Sequence, residues 1–303
     1  MIIDKATIYI RSGRGGDPSS AVTSLSSRKV IGSGGDGGRG GDVILEISPH
    51  LYDLSKFKGS KKFIADSGQK GSSANKKGRD AEDLIIGLPE GTRVFENEEL
   101  LVDLTGNTNQ FLVCKGGSGG KGNYKRDFTL PAEKGEEKYL DLDYRIPNDV
   151  AILGLANSGK TSLFNALTGQ SSKVAGYPFT TTSCFWSNCE YEFERFVVLD
   201  NPPFKISKNL QNLAENDFLK HIFRSKILLL LSENKDSCMG DFKAIEREIS
   251  LYDKSLLDNK KIFYLLTKVD TIDKKKKDKI LPVSANNPES IEALKRKITD
   301  NLK

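Results

Sequence analysis

The 303-residue chain is 37% hydrophobic and 29% charged, which suits two domains of ~100–200 residues each and is neither a disordered nor a fibrous composition. Its net charge of +5 is too mild to name a nucleic-acid partner, and the excess lies in the second half, because residues 1–150 hold 22 basic and 22 acidic side chains. Four cysteines without C-x-x-C spacing, two histidines, no apolar run near ~18 residues and no amino-terminal apolar leader argue against a disulfide framework, a zinc site and a membrane span, and set the expectation of reduced thiols in a soluble, cytoplasmic protein.

Glycine divides the chain: 23 of the 28 fall in residues 1–150. In this half, apolar alternation predicts strands at Ile2–Ile10, Asp42–Ile47, Leu84–Leu88, Leu100–Leu104, Gln110–Cys114 and Lys138–Tyr144. Between them run Ser12-Gly13-Arg14-Gly15-Gly16, the tract from Gly32 to Gly41, and Gly116-Gly117-Ser118-Gly119-Gly120-Lys121-Gly122. A flexible linker is the plain reading of such tracts. Paired glycines at a three-residue period point instead to polyproline-II backbone packed closely against itself, since only glycine fits where such strands meet. The prediction is an all-β, Gly-rich domain over residues 1–147.

From residue 148 the period changes. Continuous apolar strands are predicted at Asp149–Leu153, Phe196–Leu199, Ile227–Leu231, Lys261–Leu266 and Lys279–Val283, with helices at Thr161–Leu167, Asn209–Phe223, Asp241–Tyr252 and Pro288–Leu302. Alternation of buried strand and helix predicts an α/β domain over 148–303 with a doubly wound, mostly parallel sheet.

Directly after the first of these strands, Gly154-Leu155-Ala156-Asn157-Ser158-Gly159-Lys160-Thr161 fits G-x-x-x-x-G-K-[ST] and leads through Ser162 into a helix, the strand–loop–helix context that a phosphate-binding loop requires. Successive backbone N–H groups and a helix N-terminus are suited to wrap the β-phosphate; Lys160 would reach the β- and γ-phosphates and the Thr161 hydroxyl would ligate Mg²⁺. Thr267-Lys268-Val269-Asp270 follows the fifth strand. The Asp270 carboxylate can accept from both N1–H and the 2-amino group of guanine, which adenine does not offer, while the Lys268 stem lies along the base. Ser284-Ala285, after the sixth strand, is placed to offer a backbone N–H to guanine O6. Asp200, closing the strand Phe196–Leu199, is a candidate Mg²⁺ carboxylate, and a threonine of Tyr177-Pro178-Phe179-Thr180-Thr181-Thr182 a candidate Mg²⁺ hydroxyl.

Taken together with Gly78-Arg79-Asp80, Pro89-Glu90-Gly91-Thr92 and the Gly-rich tracts, the order of these motifs resembles the Obg family of ribosome-assembly GTPases across nearly the whole chain. The resemblance implies a Gly-rich domain that probes the large ribosomal subunit, its rRNA and proteins, and a G domain that binds GTP or GDP with Mg²⁺ and switches that contact. It makes Thr181 the choice for the Mg²⁺ hydroxyl, and it places at Asn157 a residue that in related GTPases helps hold K⁺. A monomer is expected.

Several residues depart from the family pattern. Its D-x-P-G motif reads Asp200-Asn201-Pro202-Pro203, and Pro203 has no N–H for the γ-phosphate and a fixed φ. Thr267 stands where the family has asparagine, which predicts a weaker tie to the phosphate loop. The serine-rich stretch after Pro18 lacks the family's basic cluster, and the chain closes at Lys303 soon after the last predicted helix, so a C-terminal extension is expected to be absent. Three function classes follow. They are a slow GTPase of large-subunit assembly, with Lys160, Thr181 and Asp200 as its catalytic groups; a ribosome-associated guanine-nucleotide binder that has lost hydrolysis; and an RNA binder using Lys56, Lys58, Lys61, Lys62, Lys125-Arg126 and the run Lys274-Lys275-Lys276-Lys277, for which a solvated loop is the plainer account of the run.

Overall fold

The structure is a computed structural model that describes residues 3–26, 29–59, 61–169, 184–204, 210–268 and 280–303. The chain divides into two compact units after Tyr144.

The first unit carries ten strands: β1 (Lys5–Arg11), β2 (Val22–Ser26), β3 (Lys29–Gly32), β4 (Val43–Ile47), β5 (Lys62–Ile64), β6 (Leu84–Leu88), β7 (Thr92–Glu96), β8 (Glu99–Asp103), β9 (Gln110–Cys114) and β10 (Glu137–Tyr144). They form a five-stranded sheet in the order β5-β1-β10-β7-β8, a three-stranded sheet β6-β4-β9 and the hairpin β2-β3. Period-two alternation puts Ile8, Ile10, Val43, Leu45, Val94, Leu140 and Leu142 fully or almost fully in the core. The short β5, the hairpin β2-β3 and β7 were not among the predicted strands; β5 has only three residues, and β2 is rich in serine. Asn97 and Glu98, both with left-handed φ (49° and 70°), make the two-residue turn that joins β7 to β8.

The Gly-rich tracts are packed backbone, as predicted. Three of them close hydrogen-bonded triangles: Gly16 N–H donates to Gly38 O at 2.8 Å, Gly37 N–H to Gly120 O at 2.8 Å, and Gly120 N–H to Gly16 O at 3.0 Å. Three residues along, Gly13 N–H donates to Gly41 O, Gly40 N–H to Gly117 O and Gly117 N–H to Gly13 O, at 2.8, 2.9 and 2.9 Å. The repeat leaves no room for a side chain. A Cβ on Gly37 would sit 1.9 Å from Gly16 O, one on Gly40 2.0 Å from Gly13 O, and one on Gly119 2.0 Å from Gly37 O. Space, not backbone conformation, selects glycine there.

The second unit contains β11 (Val150–Gly154), α1 (Lys160–Thr168), β12 (Phe185–Tyr191), β13 (Glu194–Asp200), β14 (Ile227–Ser232), α2 (Cys238–Tyr252), β15 (Lys261–Leu266), β16 (Ile280–Pro282) and α3 (Pro288–Leu302). The sheet order is β12-β13-β11-β14-β15-β16, parallel except for the edge strand β12, which pairs antiparallel with β13. All residues of β11 and β14 are buried, as expected of strands covered on both faces. α3 matches its predicted span, with Pro288 at its start and Asn287 Oδ1 accepting from the N–H groups of Glu289 and Ser290 at 3.0 and 3.4 Å. The helix predicted at Asn209–Phe223 is instead a 3₁₀ stretch, Leu210–Arg224, broken at Asn216. β12 was not predicted, because its Ser187-Asn188-Cys189-Glu190 reads as polar. β11 lies between β13 and β14, where the chain order switches direction across the sheet, so the loop leaving its carboxyl end opens on a natural ligand crevice. Among the described residues no helix is long and apolar enough to cross a membrane.

The backbone triangles make a direct prediction. Gly37→Ala, which drives a methyl into Gly16 O, should lower the unfolding free energy of this unit by about 3 kcal/mol or more. Gly106→Ala, whose Cβ would come no nearer than 3.6 Å to Glu90 Oε1, should leave it unchanged. Urea unfolding read by hydrogen exchange of amides in residues 3–144 separates the two.

Candidate nucleotide site

Between β11 and α1 the chain must reverse within five residues. Asn157 (φ 62°) and Gly159 (φ 83°) supply the left-handed backbone that does this, glycine without steric cost and asparagine with less than most side chains. The turn opens on a cleft of ≈ 740 Å³ lined by residues 156–162, the chain from Asp200 to Pro203, Phe185, Glu233 and Lys268. The N-terminus of α1 therefore borders the cleft with its unpaired N–H groups and the positive end of its dipole.

Lys160 is 7% exposed. Its Nζ donates to the carbonyls of Gly154 at 3.1 Å and Leu155 at 2.8 Å, which folds the side chain back over its own loop. Burial holds its pKa below that of an ordinary lysine, and the charge of Asp200 opposes that shift. Thr161 Oγ1 donates to Asp200 Oδ2 at 2.9 Å. Asp200 is 3% exposed, and burial pushes its carboxyl up to about 6 against the opposing pull of the Thr161 hydrogen bond and the Lys160 charge.

The other carboxylate oxygen, Asp200 Oδ1, is buried and without a hydrogen-bond partner among the described residues. An orphaned, desolvated oxygen beside a threonine hydroxyl fits a hard divalent cation such as Mg²⁺, which takes oxygen donors. Thr161 and Asp200 are the groups that would hold it.

The turn after Asp200 is fastened to β11 on both sides of its prolines. Asn201 donates from its backbone N–H and its Nδ2 to Ile152 O, each at 3.3 Å, and Cys184 Sγ lies 3.7 Å from Asn201 Oδ1. Phe204 N–H donates to Gly154 O at 3.2 Å, and its buried ring meets Phe218 edge-on with centroids 5.6 Å apart. Between these fixed points Pro202 is buried and Pro203 is exposed on the cleft wall, where it has no N–H to offer.

Thr267 does make a tie to the phosphate loop. Its Oγ1 donates to Ser158 O at 2.8 Å and lies 3.3 Å from Ser232 O. A Cβ at Gly159 would stand 3.6 Å from Thr267 Oγ1, an ordinary contact, so glycine there answers to its left-handed φ of 83° and not to the approach of β15. Lys268 (φ 58°) lines the cleft and pairs with the Glu233 carboxylate, a partner the sequence reading missed and for which no local motif signals. Ser284 is taken up by the start of α3: its N–H donates to Ser290 Oγ at 3.2 Å and its carbonyl accepts from Asn287 N–H at 3.1 Å. Ala285 lines a separate depression of ≈ 400 Å³ with Ala166 and Ile291, so neither is among the residues lining the phosphate cleft. Thr181 and Asp270, with the run Lys274-Lys275-Lys276-Lys277, lie outside the described residues.

The raised carboxyl of Asp200 sets a pH dependence. In the unfolded chain an aspartate titrates near ~3.9. The contribution of Asp200 to stability is therefore fully present below that value and is lost as pH rises through about 6. In metal- and nucleotide-free protein, Asp200→Asn should be more stable than the wild type at pH 7, and that advantage should disappear as the pH is lowered towards ~4. Urea unfolding of both proteins across this range gives the measurement; a pH-independent difference overturns the assignment.

Residues 3–144 match the family described as GTP1/OBG, and residues 149–268 match the family described as 50S ribosome-binding GTPase. The chain is 34% identical to the GTPase Obg of Aquifex aeolicus over 97% of this chain and 93% of that protein. It is 36% identical to the GTPase Obg of Thermodesulfovibrio yellowstonii, over 89% and 85% respectively. Against the GTPase Obg of Thermoanaerobacter sp. (strain X514) it is 36% identical over 85% of its own length and spans 64% of that relative. With a Gly-rich β unit, a phosphate loop at the switch point of a mostly parallel sheet, family matches to both units and a relative at 34% identity over 97% of the chain, this chain is a member of the Obg family of GTPases.

Proposed function

We propose that the chain is a slow, Mg²⁺-dependent GTPase that uses bound guanine nucleotide to time its contact with the rRNA and proteins of the large ribosomal subunit during assembly. The observation that carries the nucleotide part is the Thr161–Asp200 pair beneath the N-terminus of α1, with a buried carboxylate oxygen left unpaired beside it. Mg²⁺ at that oxygen would neutralise charge on the β- and γ-phosphates. Lys160 would exchange the carbonyls of Gly154 and Leu155 for phosphate oxygens, strong acceptors for a buried ammonium. Backbone N–H groups of the loop and the dipole of α1 would hold the β-phosphate. Asp270 is assigned to the guanine edge, Ser284-Ala285 to its O6 and Thr181 to the second hydroxyl on the metal. The ribosomal part rests on the family to which the chain belongs, as does action in the cytoplasm as a monomer.

Pro203 is why turnover is slow on this reading. A hydrogen bond to a charged oxygen contributes about 1.5–3 kcal/mol, and the proline supplies none. It also favours a second reading, in which GTP or GDP is bound but not hydrolysed. Single-turnover hydrolysis of GTP by the purified chain, with Thr161→Ala as the blank, decides between them: a rate above the blank supports the enzyme, and no excess leaves only the binder. Pro203→Gly should raise the preference for triphosphate over diphosphate by about one decade or more. On the same reading Asn157 would help hold K⁺ near the phosphates, so hydrolysis should run faster in KCl than in NaCl; equal rates remove K⁺ from the account.

A further inference from the structure

We infer that the edge of the second unit opposite the nucleotide cleft is a docking surface for single-stranded RNA, formed by Arg145, Phe223, Arg224, Lys226, Lys260 and Lys261; in taking that RNA to be ribosomal, this rests on the reading above. The cleft opens at the carboxyl ends of the parallel strands. Lys226 precedes β14, and Lys261 opens β15 in register with Ile227, so both stand at the amino ends of the same strands, about 20 Å of backbone away. The backbone brings the basic groups together. Lys261 N–H donates to Lys226 O at 3.0 Å. Lys260 Nζ donates to the carbonyls of Ile222, Phe223 and Ser225 at 2.9, 2.9 and 2.6 Å, which sets its charge beside Phe223 and Arg224.

The positive charge gathered here lacks a counter-charge. Carbonyl oxygens hold the Lys260 ammonium without neutralising it, as Asn301 O does that of Lys261 at 3.2 Å. No carboxylate among the described residues pairs with Lys226, Lys260 or Lys261, and Asp149, at the same edge, spends its Oδ2 on Val197 N–H at 2.8 Å. Burial pushes the Lys260 ammonium down to about 8 with no anion opposing the shift. Like charges on paired strands repel each other, and a polyanion relieves the repulsion. Beside the lysines Phe223 is 38% exposed, and the Arg145 guanidinium lies 4.4 Å from its ring centroid. A flat ring and guanidinium among ammonium groups suit a single strand, whose bases stack while its phosphates follow the cations. An acidic protein segment would use the lysines but has no base to lay on the ring, and this decides for RNA.

The test is fluorescence anisotropy of the full chain with a labelled single-stranded RNA of about 12 nucleotides, between about 50 and 200 mM KCl. The double variant Lys226→Glu/Lys261→Glu, which changes two exposed side chains, should bind about tenfold or more weakly and lower the slope of log affinity against log salt by about 1.4 or more. Lys243→Glu/Arg247→Glu, an equal charge change at two exposed positions of α2, should keep the wild-type slope. Phe223→Ala should weaken binding about fivefold or more at an unchanged slope, the worth of one stacked base. Loss of slope in both double variants alike, or wild-type affinity in Phe223→Ala, overturns the assignment; the second is the result that a surface for an acidic protein would give. Binding of the oligonucleotide that is lost in Lys226→Glu/Lys261→Glu, with no binding of the wild type to purified large ribosomal subunits, upholds the RNA surface and removes the ribosomal reading instead.

Discussion

One hydrogen bond sets the geometry of the second unit's cleft: Thr161 Oγ1 to Asp200 Oδ2 at 2.9 Å. It joins the first turn of α1 to the last residue of β13, two elements whose apolar side chains Leu163, Phe164, Phe196 and Val198 share one core. A buried carboxylate with one oxygen unpaired is costly, and a protein retains such a group where a ligand repairs the deficit. The backbone around it is organised to hold that deficit in place. Gly154 O accepts both the Lys160 ammonium and the Phe204 N–H, so one carbonyl at the end of β11 fixes the loop lysine and the chain beyond Asp200 together. A side chain at Gly154 would put its Cβ 2.4 Å from Ser158 Oγ, which keeps that position open to both donors.

The first unit satisfies the requirement that buried backbone be paired in a different way. Its tracts have no ladder of the usual kind. Many of their N–H groups find a carbonyl on a neighbouring tract, and the triangle Gly16–Gly38, Gly37–Gly120, Gly120–Gly16 repeats three residues along. Such packing has no tolerance for a Cβ, so glycine carries the core there much as leucine carries it between helices. Acidic side chains close the ends: Asp42 Oδ1 accepts from Gly116 N–H at 2.7 Å and Asp36 Oδ1 from Gly122 N–H at 2.8 Å.

Much of this was legible in the sequence where local pattern and tertiary role coincide. α3 carries its own start signal in Asn287-Pro288, β11 and β14 are apolar runs buried on both faces, and the phosphate loop brings its spacing with it. Elements whose pairing is decided elsewhere were not readable. β12 is polar because it is an edge, β5 is three residues long, and the 3₁₀ form of Leu210–Arg224 follows from a break at Asn216 that helical periodicity does not register. The tie made by Thr267 was unreadable for a related reason: it depends on how near the Ser158 carbonyl of the facing loop comes to the end of β15, which no single residue type reports.

The same logic bears on Pro203. A missing N–H removes one contact, but a switch also needs a segment with two arrangements, because a ligand moves an equilibrium only by its differential affinity for the two states. Here the segment is fastened at both ends, by the two donors of Asn201 on Ile152 O and by Phe204 N–H on Gly154 O, with the Phe204 ring buried against Phe218. Two consecutive prolines fix φ between those anchors. Restoring the donor therefore restores a contact without by itself restoring a second conformation. On the proposed reading, discrimination between diphosphate and triphosphate then falls to the groups whose present partners a phosphate or a cation can replace: the Lys160 ammonium on its loop carbonyls, and the Thr161 hydroxyl on Asp200.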